Sequence, residues 1–298
     1  MAAADIVPIS LDLVDANPVA AAADFGDAFT RTGFAVVADH GIDDGVIARA
    51  LTATKALFAL PESVKQQYVV AGGAGQRGLT PFRVETAKGA TQPDLKEFWH
   101  TGRDNIATAL PANVWPAEVP DFRPAVTALY AALDRAGARI LRAIAQHLDL
   151  ASDFFVEPTR DGSSILRLLH YPAVTGTPAA VRAAAHEDIN VITLLLGADE
   201  AGLQLLTRDG AWRDIAAPPG TLVCNIGDML ARLTGDRLPS TSHRVVNPSP
   251  SRARHARFSM PFFLHFHAHY QIVPLIGDMP PVTADAFLHE RLREIGLA

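Results

Sequence analysis

Cysteine is almost absent from this chain, since Cys224 is the only one among 298 residues. A single cysteine cannot form an intramolecular disulfide, and it excludes Cys-rich zinc and iron–sulfur sites. Long hydrophobic runs are also lacking, because no apolar stretch approaches the roughly 20 residues of a membrane-spanning helix. The chain does not begin with a basic segment followed by an apolar one, as a signal peptide does. These absences predict a cytoplasmic protein with no membrane partner.

Basic charge is in short supply as well. The sequence has 26 Lys and Arg against 32 Asp and Glu, which gives a formal net charge of −6. Because phosphate binding needs a basic face, this balance argues against a nucleic-acid-binding protein. The local cluster of Arg252, Arg254 and Arg257 is too short to change that conclusion. Internal repeats and long linkers are missing too, so we expect one structural unit over residues 1–298, and a monomer is the simplest expectation.

The first half of the chain has mostly helical signals. Pro18 suits the first turn of a helix, and apolar residues at helical spacing follow in several segments. The predicted helices cover residues 17–32, 45–60, a short segment that starts at 61, and 122–150. The predicted strands cover residues 6–10 and 34–37, and residues 70–103 are predicted to form loops and short strands.

The pattern changes beyond Ser163, where short apolar runs alternate with turn signals. These runs predict strands over residues 165–171, 191–196, 202–207, 211–215, 221–226 and 257–265. Asp209-Gly210 between two such runs predicts a hairpin turn. Residues 283–296 then have the apolar spacing of a closing helix. The fold class that this order predicts is α+β, mainly β, with a β-sandwich or jelly roll after a helical N-terminal half.

Two histidines and one aspartate form a candidate metal site. Residues i and i+2 of an extended chain point the same way, so His186 and Asp188 can bind one ion. His243 lies in another apolar, extended segment and supplies a third ligand. Two imidazoles and one carboxylate form the facial triad of non-haem Fe(II) oxygenases, which leaves coordination positions open.

Other histidines in the sequence offer competing interpretations. His147-Leu148-Asp149 repeats the His-x-Asp pattern, but at the end of a predicted helix its two side chains face different directions. His265-Phe266-His267-Ala268-His269 would place three imidazoles on one face of a strand, without a carboxylate. A zinc hydrolase with Glu187 as its base is a further alternative for the triad.

Arg257 and Ser259 form a candidate anion anchor on a predicted strand. Their side chains share one face of a very apolar segment. A guanidinium matches a carboxylate with two parallel hydrogen bonds, and a serine hydroxyl can add a third. Iron ligands with a nearby carboxylate anchor predict an organic acid that binds the metal through two of its atoms.

An ordered series of motifs accompanies these residues through the chain. In the second half they are His186-Glu187-Asp188, Thr193-Leu194-Leu195, Gly202-Leu203-Gln204, Gly210-Ala211-Trp212, Pro219-Gly220-Thr221-Leu222-Val223, Asn225-Ile226-Gly227-Asp228, Ser242-His243-Arg244-Val245-Val246 and Arg257-Phe258-Ser259. In the first half they are Val7-Pro8-Ile9-Ser10, Gly33-Phe34, His40-Gly41 and Lys96-Glu97-Phe98. Together they resemble the isopenicillin N synthase-like branch of the 2-oxoglutarate/Fe(II)-dependent dioxygenase superfamily. The resemblance extends over essentially the whole chain.

The resemblance implies a double-stranded β-helix, the jelly roll of this superfamily. Its catalytic core would span residues 161–270, after an N-terminal dioxygenase region at 5–120 and a long helix with its connection at 121–160. A C-terminal helix at 283–296 would complete the single unit.

The resemblance also implies site roles and a reaction. His186, Asp188 and His243 would hold Fe(II), and Arg257 with Ser259 would bind the distal carboxylate of 2-oxoglutarate. Tyr171 would assist cosubstrate binding. Leu169 stands where the family often has an asparagine, and Arg167 would compensate. The implied reaction consumes 2-oxoglutarate and O2, releases succinate and CO2, and oxidises a small organic substrate, most commonly by hydroxylation.

The sequence leaves several alternatives open. Isopenicillin N synthase and aminocyclopropanecarboxylate oxidase share the Arg-x-Ser pair without using 2-oxoglutarate, and ethylene-forming relatives fragment it. A degenerate binding protein without catalysis is a further possibility. The substrate itself is not readable, although some residues are candidates for the pocket lining: Arg83, Phe98, His100, Phe263 and Phe287.

Overall fold

The computed structural model describes residues 3–4, 6–86, 92–104, 110–173, 182–196, 202–247 and 254–294. Its helices are α1 (Leu13–Ala16), α2 (Pro18–Thr32), α3 (Asp44–Phe58), α4 (Glu62–Lys65), α5 (Phe122–His147), α6 (Val156–Arg160), α7 (Asp228–Thr234) and α8 (Ala284–Glu294). Its strands are β1 (Ala3–Ala4), β2 (Ile9–Ser10), β3 (Phe34–Ala38), β4 (Gly78–Thr80), β5 (Glu97–Gly102), β6 (Ile165–Tyr171), β7 (Ala183–His186), β8 (Ile192–Leu196), β9 (Leu203–Leu206), β10 (Trp212–Ile215), β11 (Leu222–Ile226), β12 (His243–Val245), β13 (Arg257–Ser259), β14 (Phe262–Leu264), β15 (Gln271–Ile272) and β16 (Val282–Thr283).

Local sequence signals explain where α2 begins and ends. Pro18 occupies its first turn, and the side chain of Asn17 accepts a hydrogen bond from the backbone N–H of Ala20 at 3.2 Å. Gly33 ends the helix in a left-handed conformation, with φ of 70°. A side chain at Gly33 would also approach the carbonyl oxygen of Pro239 to 2.4 Å. The turn therefore requires glycine both for its conformation and for its space.

The long helix α5 lies behind the β-sheet and forms most of the helical layer. Its apolar side is buried, and α2 and α3 pack on it. The helix ends at His147, earlier than the predicted residue 150, because Asp149 turns the chain with φ of 58°. His147 packs directly over Gly26, which has no side chain to displace it. The His147-Leu148-Asp149 pattern is thus a packing feature at a helix end.

Two sheets face each other and form a jelly roll. The larger sheet has the order β2-β3-β11-β8-β14-β6-β5-β4, with β13 also paired to β6, and the smaller has the order β1-β10-β9-β12-β7. Side chains alternate between the faces of each strand. Leu194 and Cys224 join the core against the helices, whereas Thr193 and Asn225 on the same strands turn toward the smaller sheet. The predicted fold class, α+β and mainly β around a jelly-roll core, is confirmed.

The end of the core differs from the prediction. One strand was predicted over 257–265, but Met260 and Pro261 separate β13 from β14, because proline has no N–H for the ladder. Residues 265–269 lie outside any strand, and only His265 of the three histidines there is buried. The prediction of three imidazoles on one strand face is therefore wrong.

The closing helix is observed as α8, and its last predicted residues, 295 and 296, lie outside the described residues. Within the described ranges, no helix is long and apolar enough to cross a membrane.

Candidate metal centre and cavity

Backbone register brings the two histidines of the candidate metal site together. His186 is the last residue of β7, His243 is the first of β12, and the two are paired across the small sheet. Their ring centroids are 4.4 Å apart. Asp188 follows β7, with its carboxylate oxygens 3.9 Å from Nε2 of His186 and 3.8 Å from Nε2 of His243. One ligand atom from each residue lies within 4.8 Å of the other two.

Backbone carbonyls orient both imidazoles. Nδ1 of His186 donates to the carbonyl oxygen of Ala184 at 2.8 Å, and Nδ1 of His243 donates to that of Thr241 at 3.2 Å. Because a carbonyl oxygen only accepts, each Nδ1 carries a proton, and Nε2 is the nitrogen left to bind a metal. Such hydrogen bonds orient histidine ligands in metalloproteins.

Two side chains on neighbouring strands fix the carboxylate of Asp188. Thr193 on β8 donates its hydroxyl to Oδ2 at 2.5 Å, and Asn225 on β11 donates Nδ2–H to the same oxygen at 2.8 Å. Burial alone would raise the pKa of Asp188, but the imidazoles of His243 and His186 and these two hydrogen bonds outweigh it and lower the pKa. Sequence reasoning assigned no role to Thr193 or Asn225, although each is a polar residue in an apolar strand.

The chemistry of this donor set fits Fe(II). Burial, reinforced by the neighbouring His243, lowers the pKa of His186 to about 4, so its imidazole is neutral near pH 7 and able to bind a metal. Two imidazoles and one carboxylate are the ligands of non-haem Fe(II) oxygenases. In the described part of the chain, His186, Asp188 and His243 are the one group of His, Cys, Asp or Glu side chains close enough to hold an ion together.

The predicted anion anchor lies on paired strands of the large sheet. Arg257 is opposite Tyr171, with its guanidinium 5.5 Å from the tyrosine ring centroid, and Ser259 is opposite Leu169. Arg257 and Tyr171 are both buried. Arg167 shares a face of β6 with Tyr171, but it lies four residues away, which is about 13 Å along a strand. The structure thus places Tyr171 opposite Arg257 and sets Ser259 between Tyr171 and Arg167 along β6, where the backbone N–H of Arg167 donates to the carbonyl oxygen of Pro261 at 2.9 Å.

A cavity of about 710 Å³ lies against His186 and Asp188. Three of the predicted pocket residues line it, namely His100, Phe263 and Phe287. Phe98 lies behind this lining and contacts Arg167, whereas Arg83 is exposed and is not part of the lining. The C-terminal helix α8 also lines the cavity, through Phe287, Leu288, Arg291, Leu292 and Glu294.

The cavity is also lined by a cluster of ionisable side chains, of which only His100 and Arg167 were named from the sequence as candidate site residues. We call this cluster the charged wall, and its members are Glu85, Asp94, Lys96, His100 and Arg167. Lys96 bridges Glu85 at 2.7 Å and Asp94 at 2.8 Å. Burial alone would raise the pKa of Glu85, but Arg167 and Lys96 outweigh it and lower the pKa. Most of these residues come from the segment 70–103, where loops offered no periodic signal.

Arg167 and His100 complete the charged wall through an ordered hydrogen-bond chain. Nε–H of Arg167 donates to Nε2 of His100 at 2.6 Å, and Nδ1–H of His100 donates to the carbonyl oxygen of Gly75 at 2.5 Å. Burial and the adjacent Arg167 hold the pKa of His100 well below its ordinary value. The imidazole is therefore neutral.

The comparisons with protein families and curated proteins agree with each other. The family model described as the 2OG-Fe(II) oxygenase superfamily matches residues 162–266. The model described as the N-terminal region of the non-haem dioxygenase in morphine synthesis matches residues 6–118. The 2-oxoglutarate-dependent dioxygenase of Didymella fabae is 30% identical over 277 residues, which cover 87% of this chain and 83% of that protein.

Solved structures resemble the fold over nearly its full length. A 2OG-Fe(II) oxygenase family protein from Caulobacter crescentus has 49% sequence identity and a TM-score of 0.90, covering 98% of this chain and 99% of that one. A full-length protein of Neurospora crassa, solved in complex with alpha-KG, has 26% identity and a TM-score of 0.87, covering 97% of this chain and 95% of its own. A second structure of the same Neurospora crassa protein contains alpha-KG and thymine.

Proposed function

Since this chain belongs to the 2OG-Fe(II) oxygenase superfamily, we propose that it hydroxylates a small organic substrate bound in the cavity beside His186. The enzyme is a 2-oxoglutarate- and Fe(II)-dependent dioxygenase, an oxidoreductase that uses O2. The observation that carries the proposal is the His186, Asp188 and His243 group at the edge of a cavity of about 710 Å³. A cavity of that size suits a small molecule.

Within this proposal the three ligand residues hold Fe(II), and Thr193 and Asn225 keep the Asp188 carboxylate aimed at it. When bound, Fe(II) with 2-oxoglutarate and O2 supplies the oxidant for the substrate. The protein binds and orients the reactants and limits the access of water.

Arg257 and Ser259 are proposed to bind the distal carboxylate of 2-oxoglutarate, with Tyr171 beside them. Buried guanidinium groups form strong, directional hydrogen bonds to carboxylates. The assignment of Arg167 to the cosubstrate stays a prediction, and a 2-oxoglutarate titration of an Arg167 variant tests it.

The size of the cavity and the relatives favour a small substrate. The similar protein of Neurospora crassa binds thymine together with alpha-KG. For this chain we propose a substrate of comparable size, positioned between the charged wall and α8.

An anaerobic titration of the Fe(II)-loaded protein with 2-oxoglutarate tests the site directly. Bidentate chelation of Fe(II) by 2-oxoglutarate produces a visible charge-transfer band, which we expect in the wild type and not in His186→Ala. The matched control is His267→Ala, which removes a half-buried histidine outside the triad and should leave the band intact. Iron binding without the band would instead indicate that this protein, like some relatives, does not use 2-oxoglutarate as its cosubstrate. Absence of iron binding would reject the proposal.

A further inference from the structure

The charged wall is buried beside the candidate iron ligands, and its charges are already balanced. Lys96 contacts the carboxylates of Glu85 and Asp94, and Arg167 approaches Glu85 at 3.3 and 3.4 Å. Two cations therefore face two carboxylates, and His100 is neutral because its Nε2 accepts a hydrogen bond. A substrate that enters beside this wall meets polar groups but no net charge.

Stability alone does not explain such a wall. Charges lose their hydration when they are buried, and apolar residues of similar volume often stabilise an interior as well as a buried ion pair does. The side chains of Lys96, Glu85 and Asp94 are only 7%, 10% and 3% exposed. Because the cluster also lines the cavity, recognition of a polar ligand is the better explanation for it.

Arg167 is the member of the wall that is equipped to contact a ligand. A guanidinium has five N–H groups, and three hydrogen bonds from Arg167 go to His100 and Glu85. Its side chain is 16% exposed and lines the cavity. The centroids of the Phe98 and Phe263 rings lie 4.1 and 5.1 Å from its Cζ, which fixes the position of the group. Its remaining N–H groups can therefore donate to an acceptor in the cavity.

The other cations that line the cavity, Arg291 and Arg232, are already engaged. Arg291 lies 3.7 Å from Asp228 and 2.8 Å from Glu294. Arg232 donates to the carbonyl oxygen of Pro280 at 2.7 Å. Of the cavity-lining residues that the structure describes, each Lys or Arg thus already has a carboxylate or a carbonyl partner. A carboxylate substrate would have to break one of these interactions to gain a counter-ion.

We propose that the substrate is an uncharged molecule with a carbonyl oxygen that accepts hydrogen bonds from Arg167, and that the charged wall rejects carboxylates. This inference rests on the proposed function, because it concerns the same cavity. A carbonyl group needs only a donor, whereas a carboxylate at Arg167 would compete for a guanidinium already paired with Glu85 and would lie close to that like charge. Such repulsion discriminates between ligands of the same shape.

Size-matched amides and acids test this selectivity. Benzamide with benzoate, and nicotinamide with nicotinate, are titrated into the anaerobic protein loaded with Fe(II) and 2-oxoglutarate, and the perturbation of the charge-transfer band is followed. We expect each amide to bind on the order of 100-fold more tightly than its acid. An acid that binds as tightly as its amide overturns the proposal, and so do amides that leave the band unchanged up to their solubility limit.

Two variants distinguish a change in charge selectivity from a general loss of structure or binding. Glu85→Gln leaves Lys96 and Arg167 with one carboxylate between them, so benzoate should bind at least tenfold more tightly than it does to the wild type. The control Glu62→Gln removes an exposed carboxylate that contacts Lys65 outside the cavity, and it should leave the preference unchanged. If Glu85→Gln does not fold, the affinity of Arg167→Met for the amides tests the proposal instead.

Arg167→Met should weaken benzamide binding by about tenfold and leave the 2-oxoglutarate affinity unaltered. If 2-oxoglutarate affinity falls and benzamide affinity does not, Arg167 binds the cosubstrate and the inference is wrong. Failure of the proposed function is distinguishable from either result, because the charge-transfer band then does not form before any amide or acid is added.

Discussion

Removal of Lys96 is the most direct test of the charged wall. Its ammonium lies 2.7 Å from Glu85 and 2.8 Å from Asp94, and all three side chains are almost completely buried. Burial alone would lower the pKa of Lys96, but the two carboxylates outweigh it and raise the pKa above its ordinary value. The lysine is therefore charged at neutral pH, and together with Arg167 it balances the two carboxylates.

The expected loss of stability follows from the charges that Lys96→Met leaves behind. Methionine preserves most of the apolar stem, so packing changes little. Glu85 then keeps only Arg167, at 3.3 Å, and Asp94 loses the ammonium that lies 2.8 Å from it. Removal of one partner from a buried ion pair costs about 3–5 kcal/mol. With a shift of about 2–4 °C per kcal/mol for large domains, the melting temperature should fall by roughly 6–20 °C.

Thermal and urea unfolding of Lys96→Met, followed by circular dichroism, measures this loss. The control is Lys55→Met, because Lys55 is exposed and its ammonium lies over the Phe258 ring, at 5.8 Å from its centroid. An exposed contact of this kind contributes about 0.5–1 kcal/mol. A double-mutant cycle with Glu85→Gln then isolates the coupling between the two charges. A loss in Lys96→Met no larger than in the control would refute the argument that these charges are buried and mutually dependent.

Four further predictions concern the metal and cosubstrate residues. His186→Ala and Asp188→Ala should each abolish Fe(II)-dependent succinate release, and normal turnover in both would reject the ligand assignment. Arg257→Ala should raise the KM for 2-oxoglutarate by about 10–100-fold, the equivalent of one charged hydrogen bond, with little change in iron affinity; an unaltered KM removes Arg257 from that role. Thr193→Val keeps the side-chain shape but removes a donor to Asp188, so Fe(II) affinity measured against a coloured chelator should weaken by about 10–100-fold. Asp94→Ala removes the acceptor for the N–H of Ala184, and iron affinity should weaken by about tenfold; unchanged affinity would show that β7 holds His186 without this contact.

The metal site was predictable because its determinants are local. Alternation on an extended chain places His186 and Asp188 on one side, and the apolar residues after His243 mark another strand. The pairing of His186 with His243 across the small sheet agrees with that prediction. Short-range periodicity also located most strands of the jelly roll to within a residue or two. Pro261 is a signal for a break in a strand, but the apolar residues on both sides of it led to the prediction of one continuous strand over 257–265.

The charged wall was not predictable as a cluster, because Arg167 reaches His100 and Glu85 across 67 and 82 residues of sequence. Lys96 and Glu85 come from a region without helical or strand periodicity, whereas Arg167 lies on β6, beyond the long helix α5. An isolated lysine in a loop is typical of a solvated surface. Only the pairing of β5 with β6 brings His100 opposite Arg167 and makes the cluster. Burial, and hence the chemical significance of these charges, is a property of the tertiary structure.

The charged wall and the metal centre share a physical connection through β7, which ends the order of the small sheet. Asp94 binds Lys96 through Oδ2 and accepts the N–H of Ala184 through Oδ1 at 3.1 Å. The carbonyl oxygen of Ala184 in turn accepts the Nδ1–H of His186 at 2.8 Å. The same carboxylate thus balances the wall that would contact the substrate and holds the strand that presents a metal ligand. A change in the charge of the wall should therefore alter iron affinity as well as substrate selectivity. Both quantities should be measured for each variant of the charged wall.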